Sequence, residues 1–174
     1  MKAHPHLLMV ITTVLFSSNL VGDALQNGIE KPKTLCEVLS NREKFDGHMV
    51  KVRGIVEGNE HGAWLLDNRC RACVDLGKRI PCAVVLVGPS QAVEPVDFEY
   101  DRSADSRIRD FLTKHKARKD DTLWVTYIGK FETKPQAELF DSHSGRVVNG
   151  FGHQSSFVAQ LVVLTVRDPA LARK

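Results

Sequence analysis

The sequence predicts a small, mainly β domain in which one helix separates the third and fourth of five strands. Three observations predict this fold class. Short runs of alternating apolar and polar residues recur along the chain, as half-buried strands require. Glycines fall inside these runs, where a curved sheet bends or bulges. The chain has 174 residues, of which 43% are hydrophobic, and this suits one globular domain and excludes a disordered chain.

The charge balance argues against strong binding of polyanions. Lys and Arg number 24 and Asp and Glu number 21, so the formal net charge is only +3. A protein that binds nucleic acid mainly through its overall field carries a larger positive charge than this.

The first 24 residues have the features of a signal peptide. Lys2 supplies a positive start, residues 7–21 form an apolar stretch, and Gly22-Asp23-Ala24 is a cleavage site of small residues. An uncleaved membrane anchor is the alternative, but a spanning helix needs about 20 mostly apolar residues. We therefore expect export to the periplasm or the outside of the cell, and a mature chain without a transmembrane segment.

The cysteines all lie in the mature part of the chain. They are Cys36, Cys70, Cys73 and Cys82. An even number in an oxidising compartment predicts two disulfides, with three possible pairings. Cys70 and Cys73 also have C-x-x-C spacing, and the basic residues Arg69 and Arg71 on either side of Cys70 lower a thiol pKa. The alternatives to disulfides are a redox role and a metal site completed by Cys82 and a histidine.

The predicted elements follow from capping and periodicity. Thr34 and Glu37 fit a capping box, which starts a helix that runs to about Lys44 and ends at Asp46-Gly47. A second helix starts near Ser103 or Asp105 and ends in a basic run. The predicted strands cover residues 48–57, 63–67, 82–87, 122–133 and 156–166.

The mature chain divides into three parts. Residues 25–33 are predicted to be a flexible lead-in, residues 34–168 the folded domain, and residues 169–174 a tail that frays after Asp168-Pro169. The last strand is apolar on both faces, which predicts a covering element, either the first helix or a partner chain.

Several motifs resemble those of uncharacterised exported bacterial proteins with an OB-fold-like barrel. The resemblance spans about residues 34–168. It rests on Leu35-Cys36-Glu37-Val38-Leu39 leading into Asp46-Gly47, on the alternation of Val50, Val52, Gly54 and Val56, and on Gly150-Phe151-Gly152-His153. The resemblance implies a five-stranded Greek-key barrel and no particular activity.

In OB-type barrels, ligands lie across the second and third strands, between the loop after the first strand and the loop before the last. Here these loops are residues 58–62 and 134–155. They carry Glu60, His61, Asp141, His143 and His153. Imidazole and carboxylate groups suit a transition metal or acid–base chemistry, or they pair with each other to hold the loops.

Exposed aromatic and basic residues suggest a second kind of ligand. Trp64, Trp124 and the basic loop of residues 69–79 supply the stacking and cationic groups that bind single-stranded nucleic acid. Export argues against nucleic acid as the normal partner. The predicted ligand-binding residues are Glu60, His61, Trp64, Arg69, Arg71, His143 and His153.

The sequence argues against an enzyme. It has no G-x-S-x-G nucleophile and no phosphate-binding glycine loop, and Ser142 next to His143 does not make a triad. We expect no cofactor and no bound metal. The sequence predicts an exported, non-catalytic binding or scaffold module for a small ligand, a glycan or a protein, with nucleic-acid or metal binding as alternatives.

Overall fold

The structure is a computed structural model, and it describes residues 31–70, 73–75, 78–80, 82–139, 141–144, 146–147, 149–152, 155 and 157–173. The predicted signal peptide therefore lies outside the described residues.

The elements in chain order are β1 (Lys33–Thr34), α1 (Leu35–Ser40), α2 (Arg42–Phe45), β2 (Met49–Asn59), β3 (Gly62–Leu66), β4 (Cys73–Asp75), β5 (Lys78–Ile80), β6 (Ala83–Val87), a 3-10 turn (Pro89–Gln91), α3 (Ser103–Lys114), β7 (Thr122–Thr133), α4 (Gln136–Leu139) and β8 (Ala159–Ala172). Within this part of the chain, no helix is both long and apolar enough to cross a membrane.

The described domain is mainly β, as predicted. Six strands form one mixed sheet in the order β1-β2-β3-β6-β8-β7, and β2 also pairs with β7. The hydrogen bonding of β2, β3, β6, β8 and β7 therefore closes into a ring. Strands β6 and β8 are parallel, whereas β2 is antiparallel to both β3 and β7.

Strand β2 pairs with three of the described strands. The short β1 pairs with Val52 and Arg53, residues Met49 to Ile55 pair with β7, and residues Ile55 to Asn59 pair with β3. Strands β3 and β7 lie on opposite edges of β2, because Ile55 pairs with both. Beyond Ile55 the pairing with β7 ends, beside the β2–β3 hairpin.

The core is formed by two apolar clusters. The larger one joins buried residues of α1 to the inner faces of the strands, and it includes Leu35, Val38, Leu65, Phe131 and Leu161. The smaller one lies under α3 and consists of Ala104, Val125, Val163 and Val166. Helix α1 is therefore part of the core.

The first helix is shorter than the sequence predicts. The Thr34 side chain accepts the predicted hydrogen bond from the Glu37 backbone N–H, at 3.1 Å. The helix then ends at Ser40, and a separate α2 follows. Asn41 separates them with a non-helical backbone (φ −123°, ψ 33°), and its side-chain amide donates to the Glu37 carbonyl.

The C-terminal segment continues the sheet and does not fray. Strand β8 runs to Ala172, and Trp124 of β7 pairs with Ala170. Pro169, which lacks a backbone N–H, is tolerated because the register shifts between Trp124 and Thr126. Arg53 also donates a hydrogen bond to the Asp168 carbonyl, at 2.8 Å. The prediction of a loose tail was wrong for this reason.

The outer face of β8 is covered by the segment around the 3-10 turn, which the sequence analysis did not consider. The Gln160 amide donates to the Gln91 carbonyl and to the Glu132 carboxylate. Glu132, which is 3% exposed, also accepts from the Val93 N–H and pairs with Lys130 at 3.2 Å. Burial alone raises the pKa of Glu132, but these three partners bring it below its ordinary value.

The start of α3 is held to β8 by Asp101. Its carboxylate accepts hydrogen bonds from Ser103, from the Thr165 hydroxyl at 2.7 Å and from Arg107 at 2.8 Å. Arg107 also donates to the Val166 carbonyl. The Ser103 hydroxyl first, and then Arg107 and Thr165, hold the pKa of Asp101 well below its ordinary value.

The lowered pKa of Asp101 makes its contribution to stability dependent on pH. This contribution is complete above the ordinary aspartate pKa of about 3.9 and is lost as the pH falls towards the lower pKa of the folded protein. We therefore expect Asp101→Asn to destabilise the protein at pH 7 and to differ less from the unaltered protein below pH 4. Urea unfolding across this range measures the difference. Asp110→Asn, an exposed change on the same helix, is the control. An Asp101→Asn difference that stays constant down to pH 3 contradicts the role given to the charge.

Ring closure requires a glycine where β7 approaches β8 most closely. A Cβ added at Gly129 meets the Val162 carbonyl oxygen at 2.2 Å, whereas one added at Gly88 meets nothing within 4 Å. Forced backbone displacement of this kind costs about 1–3 kcal/mol. We expect Gly129→Ala to lower the free energy of unfolding by this amount and Gly88→Ala to leave it nearly unchanged. Equal effects of the two substitutions in urea unfolding contradict the close approach.

Candidate functional site

An open groove of about 690 Å³ lies on the outside of the ring, beside the β2–β3 hairpin. We call it the hairpin groove. It is lined by residues 55–59 of β2, by Trp64, Leu66 and Asn68, and by residues 119–123 at the start of β7. Its volume falls within the range of about 300–1,000 Å³ that is typical of small-molecule sites.

The apolar part of the hairpin groove is largely buried. Ile55 lies between Leu66 and Trp124, its two register partners, and it is only 4% exposed. The wall across from the hairpin is the turn between α3 and β7. A ligand therefore meets Trp64, a polar rim and the partly buried side chains of Val56, Leu66 and Leu123.

Trp64 is the aromatic side chain of the groove, and two neighbours determine its position. It lies directly across from Glu57 in the β2–β3 register. On another side, its ring packs against Phe157, with ring centroids 6.2 Å apart and an angle of 31° between the planes. Trp64 is half-buried and lines the groove, so its ring is held in place while part of it faces solvent.

The rim of the groove carries several unpaired polar groups. Glu57, Asn68 and Asp120 are exposed, and in the described part of the chain their side chains make no hydrogen bond or ion pair. Asn59 and Asp121 are used locally, since they accept from the His61 and Arg118 backbone N–H groups. Three carboxylates and one ammonium group, Lys119, line the groove, so its charge is negative.

The predicted histidine site consists, where the structure describes it, of separate local pairs. His61 lies 3.4 Å from its neighbour Glu60, and both side chains are at least half exposed. His143 is 95% exposed and lies 3.9 Å from Asp141. His153 and Arg71, which were predicted to bind ligand, lie outside the described residues.

Ser142 and His143 do not have the geometry of a catalytic relay. The Ser142 hydroxyl lies 3.2 Å from Nδ1 of His143. Asp141 approaches the same ring nitrogen. A relay needs the hydroxyl and the carboxylate on opposite nitrogens of the imidazole, so these residues form a loop contact.

Arg69, predicted to bind ligand, is already engaged within the protein. Its guanidinium makes two hydrogen bonds with Asp67, at 2.8 and 2.7 Å, and lies over the Trp124 ring at 4.5 Å from its centroid. The hydrogen bond from Arg69 lowers the pKa of the buried Asp67 carboxyl. Arg69 and Trp124 therefore stabilise each other and the start of the loop that carries the cysteines.

The outer faces of β3 and β6 are partly covered by the loop before β8. Phe151 and Phe157 exchange two backbone hydrogen bonds, at 2.7 and 3.2 Å. This places Phe157 on Trp64 and Gly152 so close to Val85 that an added Cβ meets its side chain at 2.7 Å. A ligand lying flat across these two strands meets this loop.

Two disulfides join the cysteines. Cys36 of α1 pairs with Cys70, and Cys73 pairs with Cys82 across the base of the β4–β5 hairpin. The sequence predicted a loop over these residues, because two strands of three residues are too short to show an alternating pattern. Structural disulfides are typical of an oxidising compartment.

The cysteines are also where the described residues best match a metal site. Three sulfurs, those of Cys70, Cys73 and Cys82, lie within 4.8 Å of one another. Metal ions bind the thiolate form of cysteine, and all four sulfurs are oxidised to disulfides. In this state the cluster offers no metal ligand.

Another pocket, of about 200 Å³, is more open to solvent than the hairpin groove. It is lined by Tyr100, Tyr127, Leu86 and Val163, among others. Burial raises the pKa of Tyr127 to about 12, and burial and then the Asp105 carboxylate raise the pKa of Tyr100. Both phenols are therefore neutral at pH 7, and no charged side chain of the described residues lines this pocket.

The sequence analysis identified Trp64 but missed the polar groups around it. Glu57, Asn68 and Asp120 were not among the predicted ligand-binding residues. The cross-strand position of Glu57 was the available indication, because the turn after Asn59 sets it opposite Trp64. The position of Asp120 depends on long-range pairing and left no local pattern.

Comparison with known proteins gives no relative on which to base an assignment. No protein-family model matches the chain, and no match is found among curated proteins. The function is therefore inferred from the geometry of the groove.

The two disulfides are expected to stabilise the fold unequally. They close loops with sequence separations of 34 and 9 residues. For these separations the loop-entropy relation gives about 4 and about 2.5 kcal/mol. We expect the double variant Cys36→Ala/Cys70→Ala to lose more stability than Cys73→Ala/Cys82→Ala. Urea unfolding of the oxidised proteins measures both losses, and a larger loss for the short loop contradicts this ranking.

Proposed function

We propose that this protein is an exported, non-catalytic binding module of the OB type, with its ligand in the hairpin groove. The observation that carries the proposal is a fixed, half-buried tryptophan beside unpaired polar groups in a groove of about 690 Å³. Aromatic surface with a few convergent polar groups is the usual composition of a ligand site.

The strand order supports the OB assignment. In a five-stranded Greek-key barrel of this type, the first strand pairs with the second and the fourth, and the third pairs with the fifth. Strands β2, β3, β6, β7 and β8 follow this order. Helix α3 lies between β6 and β7 in the chain, as a helix between the third and fourth strands does.

The cysteines support export. All four are paired in disulfides, and disulfides persist outside the reducing cytosol. The signal peptide over residues 1–24 remains a prediction from the sequence, and it is consistent with this chemistry.

The covered strand faces favour the hairpin groove over the usual OB ligand face. Phe157 and Gly152 occupy the surface above Trp64 and Val85. The accessible part of Trp64 is then the part that lines the groove. The ligand site is therefore displaced towards the end of the β2–β3 hairpin.

The two alternatives have less support. Nucleic-acid binding needs free cationic and aromatic groups, and Arg69 and Trp124 are engaged with each other. Metal binding at the histidine loops needs a shared site, and in the described residues no group of three ligand atoms within 4.8 Å includes a histidine. We keep both as outcomes of the test.

The proposed function predicts that added ligand perturbs the hairpin groove. The purified exported protein, labelled with 15N, is titrated separately with uncharged tetrasaccharides, with a mixture of tetrapeptides and with decathymidylate. We expect one probe class to shift the backbone amide signals of residues 55–59, 64–68 and 119–123, because these residues line the groove.

The variant Asn68→Ala should weaken the response, while Asn149→Ala, an exposed asparagine on another loop, should not. Shifts confined to the histidine loops, or no shift with any of the three probe classes, overturn the proposed site.

A further inference from the structure

We propose that the hairpin groove binds an uncharged oligosaccharide chain. This inference rests on the proposed function, since it assigns a ligand class to the same groove. Three features of the groove carry it: the aromatic surface, the kind of polar group on the rim and the sign of the charge.

The aromatic surface suits the apolar face of a sugar ring. Trp64 is held by Phe157 on one side and lines the groove on another. The face of an indole ring is negative, and the C–H groups on one face of a pyranose carry a weak positive charge. A fixed ring also binds with little loss of conformational entropy. Its indole N–H has no hydrogen-bond partner in the described residues, so it is available as a donor.

The rim matches the hydroxyl groups at the edge of a sugar ring. A hydroxyl both donates and accepts, so it pairs with carboxylates, which only accept, and with amides, which do both. Glu57 and Asp120 supply carboxylates, and Asn68 supplies an amide. These three side chains are exposed and unpaired within the described part of the chain. They require no internal bond to be broken when ligand binds.

The charge excludes anionic chains. Three carboxylates against one lysine repel phosphates, sulfates and uronates. The negative charge of the groove is the opposite of what a polyanion site needs, even though the whole chain carries a net charge of +3.

The lining of the groove disfavours a peptide. A peptide anchors through apolar side chains that enter pockets. Ile55 is 4% exposed, and Val56, Leu66 and Leu123 are partly buried, so the groove offers little apolar surface to such an anchor. A flat chain of hydrophilic rings needs less.

The test is isothermal titration calorimetry with the purified exported protein. The probes are cellotetraose and N-acetylchitotetraose as uncharged chains, tetragalacturonate as an anionic chain and a glucosamine tetramer as a cationic chain. We expect at least one uncharged chain to bind and tetragalacturonate not to bind.

Matched variants separate the contributions. Trp64→Ala should lower the affinity for the uncharged chain at least about tenfold, which corresponds to about 1.4 kcal/mol. Asn68→Ala should lower this affinity less, and Asn149→Ala should leave it unchanged. Glu57→Gln keeps an acceptor and removes a negative charge, so it should lower this affinity less than Trp64→Ala does and should reduce the exclusion of tetragalacturonate. Because Asn68 is exposed, its variant remains informative if Trp64→Ala fails to fold.

The outcomes distinguish this inference from the proposed function. Tighter binding of the anionic chain than of both uncharged chains overturns the ligand class, and so does binding of the cationic chain alone. If Trp64→Ala and Asn68→Ala both bind the uncharged chain as tightly as the unaltered protein does, the site is overturned. A response of the groove amides to tetrapeptides or decathymidylate alone overturns the oligosaccharide and leaves a binding module. No response to any probe removes both proposals.

Discussion

Strand β2 pairs with β7 along one edge and with β3 along the other, and the closure of the ring depends on both pairings. It pairs with β7 up to Ile55 and with β3 from Ile55 onward. Backbone hydrogen-bonding groups left unpaired inside a protein are costly, and the ring pairs those of its strands by closing through β8. Beyond Ile55 the pairing with β7 ends, and the hairpin groove lies beside this part of β2.

Closing a small ring leaves little interior volume, and much of the remaining stabilisation comes from its outside. Asp101 and Arg107 join α3 to β8, and Glu132 of β7 holds the segment after the 3-10 turn. The disulfide between Cys36 and Cys70 ties α1 to the loop that Arg69 and Asp67 begin. Asp101 and Glu132 do not line the groove, whereas the Asp67–Arg69 pair flanks the rim residue Asn68 and holds the backbone of that part of the rim.

The elements that the sequence predicted well are those determined by local pattern. The alternation of Val50, Val52, Gly54 and Val56 places β2, and β7 matches the predicted range of residues 122–133. The elements that it missed depend on contacts far apart in the chain. The β4–β5 hairpin is two three-residue strands, too short for a period to show, and the end of β8 is ordered by pairing with β7 beyond Pro169. In the same way Trp64 was identified from its residue type, whereas Asp120 lines the same groove only because the fold brings the start of β7 close to the β2–β3 hairpin.

The contact between Trp64 and Phe157 links the loop before β8 to the groove. The loop cannot leave the outer face of β3 without removing a neighbour of the Trp64 ring. A movement of the loop therefore changes the support of the Trp64 ring, although no described residue of the loop lines the groove. In the OB-type assignment that we propose, this loop covers the usual ligand face and holds the aromatic side chain of the groove next to it. A fixed ring favours ligands that match its position and orientation, because no binding energy is spent on ordering it. Under the proposed function, the rim side chains of Glu57, Asn68 and Asp120 then set the selectivity of the groove.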